Sequence, residues 1–222
     1  MNYKVIIPAR GNSKRLPGKN MKILGSKPLI QYSIDFALNS FPSDSIWVNS
    51  DNLEIIKFAT SKGVKTLIRP NYLASDHTST VDVLKFHIEF YKENNIECDA
   101  IILLQPTNPF RDNDLIEKAI YIFENSGRNS LATFSESDRK IGTIKNNYYK
   151  PLNYIPGQRS QDLKKKYFEN GLLYITKPEC IIKGKIITDC VYPLICNKIE
   201  STVDIDYFED LIFAEALLNY IK

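Results

Sequence analysis

Six charged side chains in this sequence are spaced as chemistry on phosphates would need them. Arg10, Lys14, Arg15 and Lys19 put four cations within ten residues, interleaved with Gly11 and Gly18. Near the other end of the chain, Asp204 and Asp206 flank Ile205. Glycine reaches the positive φ values that turn successive N–H groups toward one anion, so the basic stretch has the makings of a polyphosphate cradle. It follows neither common glycine pattern. Gly11 to Gly18 is too long for G-x-x-x-x-G-K-[ST], Asn20 follows Lys19, and no G-x-G-x-x-G is present. Asp204 and Asp206 alternate, so extended backbone turns both carboxylates to one side. Like charges that close repel, and Mg²⁺, which takes one or two carboxylates together with phosphate oxygens, relieves the repulsion. Plainer readings exist for both features: a basic turn is commonly a solvated loop, and D-x-D is also a helix cap with an acidic neighbour. Together, the cations and a divalent metal would offset the charge of a nucleoside triphosphate.

Other chemistries have less support. His77 and His87 have no nucleophile at recognisable spacing, and His87 falls in an amphipathic helical pattern where a structural role is ordinary. No Ser-His-Asp arrangement and no cysteine nucleophile is visible. Direct displacement at phosphorus needs neither, only positioning and charge neutralisation.

Patterning predicts the elements that must hold these groups. Residues 3–7 are β-branched and apolar and end at Pro8, a strand feeding the basic loop. Residues 28–39 carry apolar side chains at helical spacing. Residues 45–49 predict a strand, Ser50-Asp51-Asn52 a cap for the next helix, Gly63 its end, and residues 64–68 a third strand. A loop from Arg69 through Asp76 leads into a helix over 79–91, and residues 100–104 are all apolar, as a strand buried on both faces is. A helix starting at Asp112 or Asp114 and ending at Glu124 follows, then strands over 130–134, 172–175 and 191–195 and a last helix over 207–220. This alternation predicts an α/β fold, a doubly wound and mostly parallel sheet. Its ligands would sit outside the carboxyl ends of the strands, where the basic loop, residues 69–80, residues 105–111 and Asp204-Ile205-Asp206 all fall.

Residues 135–168 break the pattern. Weak alternation surrounds an Asn146-Asn147 turn, which predicts a hairpin arm unable to bury both of its faces alone. Such an arm is either a dimer contact or a solvated excursion. The rest of the composition is ordinary: 222 residues, 43% apolar, 25% charged, with no repeat or linker, so 1–222 reads as one domain. The net charge of +3 is too small to argue for nucleic acid or a membrane surface. No apolar run approaches the roughly 20 residues of a membrane span, and the strand begins too early for a signal peptide, so a cytoplasmic location is expected. Cys98, Cys180, Cys190 and Cys196 lack C-x-x-C spacing and sit in apolar segments, predicting reduced core thiols.

The stretch from Val5 to Asn20, VIIPARGNSKRLPGKN, continued by Lys22 and by Gly25-Ser26-Lys27-Pro28-Leu29-Ile30, closely resembles the opening signature of cytidylyltransferases that activate acidic α-keto sugars. The nearest match is the N-acylneuraminate cytidylyltransferase (CMP-sialic acid synthetase) family, with its legionaminic and pseudaminic acid members. Five further blocks resemble the family's in the family's order: Arg69-Pro70 with Leu73-Ala74-Ser75-Asp76, Leu103 to Arg111 (LLQPTNPFR), Arg159-Ser160-Gln161-Asp162, Asn170-Gly171 with Tyr174-Ile175, and Asp204-Ile205-Asp206. The resemblance implies a nucleotidyltransferase fold, CTP and an acidic keto sugar as substrates, Mg²⁺, and a homodimer joined through the 135–168 arm. It also implies roles. Arg10, Lys14 and Lys19 match positions holding the triphosphate, with Ala9 and Gly11 beside them; Asn20, Arg69, Ser79 and Thr80 match positions around the cytidine. Gln105, Arg159, Asn170 and Tyr174 match positions lining the sugar, Arg159 being suited to a carboxylate by bidentate bonding. Asp204 and Asp206 match the metal ligands and, with Arg10 and Lys19, the catalytic set. Two departures leave the sugar open: Glu169 precedes Asn170, and Ile187 and Thr188 stand where bacterial sialic acid enzymes carry an aromatic pair. Alternatives are activation of an eight-carbon acid such as 3-deoxy-octulosonate, another nucleotidyl transfer on this fold, or nucleotide binding without turnover. Pyrophosphate release separates enzyme from binding protein.

Overall fold

The computed structural model describes residues 1–75 and 78–221; Asp76, His77 and Lys222 lie outside the described residues. In chain order, β1 (Tyr3–Pro8) is followed by a short antiparallel pair, β2 (Ile23–Leu24) and β3 (Lys27–Pro28), folded over Gly25, whose φ of 63° only glycine takes readily. Then come α1 (Leu29–Leu38), β4 (Ile46–Ser50), α2 (Leu53–Ser61), β5 (Lys65–Ile68), α3 (Thr80–Glu93), β6 (Ala100–Leu103) and α4 (Leu115–Ser126). The last third holds β7 (Ser130–Ser137), the hairpin β8 (Gly142–Lys145) and β9 (Tyr148–Pro151), then β10 (Lys166–Thr176), α5 (Pro178–Ile182), β11 (Tyr192–Ile195) and α6 (Phe208–Ile221).

Seven strands form one sheet in the order β11-β7-β10-β6-β1-β4-β5. β5, β4, β1 and β6 are mutually parallel, β11 is parallel to β7, and β10 runs antiparallel to both neighbours. Alternation along the central strands supplies two cores. Val5 and Ile7 pack with Ile30, Ile34, Ile55 and Phe123 on one face, while Ile6 packs with Leu84, Ile88 and Tyr91 on the other. Each such aliphatic contributes about 1.5–3 kcal/mol by leaving water. A third cluster seats α6 against the basic loop, joining Leu16 to Val203, Ile205 and Leu211.

Helix ends follow local chemistry. Asn52 caps α2, its Oδ1 accepting from Glu54 N (2.7 Å) and Ile55 N (3.2 Å). Ser79 and Asp82 form a reciprocal capping box at α3. The Asn146-Asn147 turn takes φ of 50° and 64°, as a two-residue hairpin requires.

Three expectations are corrected. β7 and β10 run further than predicted, because Lys166↔Ser137 through Glu169↔Phe134 pair as an antiparallel ladder. Those residues carry no hydrophobic alternation, since no helix covers them, and the irregular part of the arm shrinks to 138–165. The four cysteines are free as expected, but none is fully buried: Cys98 and Cys196 pack half-buried against the cores, Cys180 is half-buried and Cys190 is exposed. Gly11 does not take a positive φ; only Gly18 of the basic loop does, at 66°.

Candidate active site

The chain passes from β1 outward to β4 and β5 and returns to place β6 on the other side of β1, so the strand order reverses between β1 and β6. Connections leaving the two strands on opposite faces open a crevice at their carboxyl ends. A cleft of about 260 Å³ lies there, walled by Pro8, Arg10, Lys19 and Asn20 from the first loop, Gln105, Pro106 and Thr107 from the second, and Arg69, Ser75, Thr78, Thr80 and Val83 from the third.

The basic loop is pinned at both ends. Ala9 N donates to Asn49 O (2.9 Å), and Gly11 N donates to Asp51 Oδ1 (2.8 Å). Gly11 is required for closeness rather than for φ: a Cβ there would lie 2.6 Å from Asn52 Cβ. Asn20, buried, donates Nδ2 to Arg10 O (2.9 Å), and Leu16 sinks into the α6 cluster. Gly18 then starts a single helical turn at Lys19–Met21. This aims Lys19 across the cleft, where its Nζ lies 2.8 Å from Asp206 Oδ1, while Arg15 reaches Asp206 Oδ2 at 2.9 Å and stacks over Tyr207. Arg10 half-lines the cleft and Lys14 is exposed beside it.

The acidic pair stands as its alternation predicts. Ser201, Val203 and Ile205 point inward, leaving Asp204 and Asp206 outward on a segment held by Ile205 N donating to Thr107 O (2.9 Å). Protein packed around the Asp204 carboxyl pushes it above the usual carboxylate range; the Thr107 hydroxyl opposes this and the neighbouring Asp206 charge adds to it. Among the described residues no group of three metal-ligating side chains gathers. Two adjacent carboxylates nonetheless match a cation that fills its remaining positions with phosphate oxygens and water, so the donor set fits Mg²⁺.

Arg69 is buried, Nε donating to Asn49 Oδ1 (2.7 Å), and desolvation lowers its guanidinium to about 10. Thr80 lines the cleft; Ser79 does not, because its hydroxyl is committed to Asp82 (2.7 Å) in the capping box. Of the proposed sugar residues, only Gln105 lines the cleft. Asn170 is buried and donates to Ser135 Oγ (2.9 Å); Tyr174 is buried against Glu169 (3.4 Å), its hydroxyl pKa raised by that burial. Arg159 stands on the arm, exposed, paired with Asp162 at 2.9 Å.

Two residues that frame the site had no signal beyond their motifs. Asn108, 1% exposed, donates to Asn170 O (2.9 Å) and Val203 O (3.0 Å), tying the β10 bulge to the acidic segment. Arg111 donates to Leu172 O, Ser33 Oγ and Gln105 O (2.7, 3.0 and 2.7 Å), and burial drops it to about 9. A slightly larger cavity, about 290 Å³, lies behind it between α1 and α6. That cavity holds none of the predicted site residues, and four of its charges are paired as Lys27–Asp35 and Lys198–Asp112, each at 2.6 Å. The cleft where the three loops converge is therefore the candidate.

Comparison with known proteins identifies the family. The chain is 30% identical to the CMP-N,N'-diacetyllegionaminic acid synthase of Legionella pneumophila, covering 99% of this chain and 97% of that one. It is 31% identical to an N-acylneuraminate cytidylyltransferase of Streptococcus agalactiae over 93% of its length, spanning about half (51%) of that longer relative. Among solved structures, a CMP:2-keto-3-deoxy-manno-octonic acid synthetase complexed with CTP superposes over the full length of both chains with a TM-score of 0.72 at 18% identity, a likeness of fold. No helix among the described residues is long and apolar enough to cross a membrane. The cytidylyltransferase pattern itself matches residues 4–210, and with the cleft and both charged segments inside that span, this chain belongs to the cytidylyltransferase family and is a CTP-dependent nucleotidyltransferase.

Proposed function

We propose that this enzyme transfers CMP from CTP to the anomeric hydroxyl of an acidic nine-carbon α-keto sugar, sialic acid or a bacterial relative such as legionaminic or pseudaminic acid, and releases pyrophosphate. The observation that carries the reading is the meeting of Lys19 with Asp206, residues 187 apart in sequence, at the mouth of the strand-end cleft. Cations suited to a triphosphate and carboxylates suited to a metal converge there.

In this reading Arg10, Lys14 and Lys19 hold the triphosphate, Lys19 exchanging Asp206 for a phosphate oxygen as CTP enters. Ala9 and Gly11 lie beside the triphosphate, and Asn20, Arg69 and Thr80 fix the nucleoside end, so that the α-phosphorus faces the hydroxyl in line with the departing pyrophosphate. The hydroxyl oxygen bonds to the α-phosphorus and gives its proton to water, while the bond from the α-phosphorus to the bridging oxygen breaks and its electron pair leaves with pyrophosphate. Charge developing on the bridging and equatorial oxygens is met by Lys19 and Arg10. Asp204 and Asp206 would hold Mg²⁺, which when bound would supply further neutralisation of the phosphates. Gln105 contacts the sugar.

Residues 1–222 act as one catalytic domain whose 138–165 arm joins two copies, because Ile144, Tyr148, Leu152 and Ile155 are all more than half exposed and a second arm would cover them. Arg159 then serves the sugar carboxylate, in its own or the neighbouring subunit. The enzyme works in the cytoplasm, where CTP is made. The test is pyrophosphate release from CTP and Mg²⁺ with a panel of keto acids. Nine-carbon acids are expected to turn over. Turnover confined to 3-deoxy-octulosonate would replace the sugar, and none with any acid would overturn the function.

A further inference from the structure

Arg69 is an unusual cation. It is 6% exposed, it lines the nucleotide cleft, and no carboxylate lies within ion-pair distance of it among the described residues. Asp51, the nearest acid electrostatically, has its Oδ1 occupied by Gly11 N–H at 2.8 Å. Below lies His87, fully buried in α3 and held neutral, so it offers no compensating charge. What holds the guanidinium is an amide. Asn49, fully buried on β4, accepts from Arg69 Nε at 2.7 Å with Oδ1, and its backbone oxygen accepts from Nη2 at 3.4 Å. The other end of that amide cannot turn away: Nδ2 donates to Leu67 O on β5 at 3.1 Å, which fixes Oδ1 toward Arg69. Asp51 opposes it only across space, so a buried charge tied to a neutral acceptor keeps more of its positive field for whatever enters the cleft than one tied to a carboxylate would.

We propose that Asn49 is a positioning residue for nucleotide binding: its neutral amide sets the orientation of Arg69 and leaves the guanidinium without a carboxylate in contact, turned toward the acceptor groups of CTP. This rests on the proposed use of the cleft for CTP. Asn49 touches no substrate; it acts through Arg69.

Asn49→Asp separates geometry from charge, since the carboxylate keeps the 2.7 Å acceptor and neutralises Arg69. Calorimetric titration with CTP and Mg²⁺, without keto acid, is expected to show at least a tenfold weaker dissociation constant. In turnover, the KM for CTP should rise by the same factor, while kcat and the KM for the keto acid stay within twofold. Asn49→Ser, which removes the acceptor without adding charge, should weaken CTP at least threefold, and it decides alone if the aspartate variant does not fold. CTP binding within twofold of the unaltered protein in the folded variants would overturn the assignment. So would a fall in kcat with equal rises in both KM values, which is how a purely structural residue behaves. If the unaltered protein binds no CTP, the proposed function falls and this inference with it; normal CTP binding with insensitive variants defeats this inference alone.

Discussion

Along β10, residues 166–169 are exposed and residues 170–176 are buried, although both halves pair with the same neighbour, β7. The difference lies on the other edge. Tyr174, Ile175 and Thr176 also pair with β6 and lie under the two cores, while the first four residues extend past β6 toward the arm. Hydrogen bonding to one strand therefore organises this chain without burying it; burial begins where the strand enters the core, with Leu172 and Leu173. The boundary is sharp because the ladder slips between Glu169 and Tyr174, with Gly171 at φ 76° inside the slip. Groups facing the cleft are fixed from the packed half, through Asn108 bonding to Asn170 O. Arg159 precedes the exposed half, on the arm, and pairs there with Asp162 at 2.9 Å.

The contrast can be broken first in the packed half. Asp206→Asn should lower kcat/KM at least a hundredfold, about 2.7 kcal/mol of lost transition-state stabilisation, with the melting temperature little changed. Pyrophosphate release near normal at limiting Mg²⁺ would remove this pair from the metal. Lys19→Ala should reduce kcat/KM for CTP by tenfold or more, on the scale of a lost charge-stabilising donor; a change under about threefold, below roughly 1 kcal/mol, would return Lys19 to a solvated role.

Stability separates the halves next. A Cβ at Gly171 would meet Asn108 Oδ1 at 2.6 Å in a backbone conformation that disfavours side chains, so Gly171→Ala should cost about 1–3 kcal/mol in denaturant unfolding. A cost near zero would mean that the bulge is soft. His87 tests the same core by pH. Burial, with the nearby Arg69 charge adding to it, lowers its pKa to about 3, beneath the ordinary value near 6.5. The unfolded chain therefore binds the extra proton between these values, and stability is lost as pH falls from about 6.5 toward 3, by at most about 1.4 kcal/mol per pH unit. His87→Leu should flatten that limb between pH 6 and 4.5, and an unchanged slope would assign the acid sensitivity to other groups. In the arm, replacing Ile144 and Tyr148 together by serine should change intrinsic unfolding by under about 0.5 kcal/mol, as for exposed sites, yet shift light scattering from dimer to monomer. A protein that scatters as a monomer before substitution would defeat the arm as an interface.

Much of this was legible in the residues. Central strands announced themselves because apolar runs of four or five residues have few other uses, and Asn52, Ser79 and Gly18 marked their turns because each answers a local backbone need. The charged loop and D-x-D were visible as spacing, and the outward alternation of Asp204 and Asp206 required only extended backbone. What local pattern could not decide was distance between segments far apart in sequence. Lys19 meets Asp206, Arg69 meets Asn49, and Asn108 meets both Asn170 and Val203 because strand order, not sequence order, brings their loops to one sheet edge. The same holds for the hydroxyl of Ser79 and the amide of Asn170. Ser79 bonds to Asp82 and Asn170 to Ser135. Sequence determines which groups can bond; only the packed sheet decides which of them remain free to face the cleft.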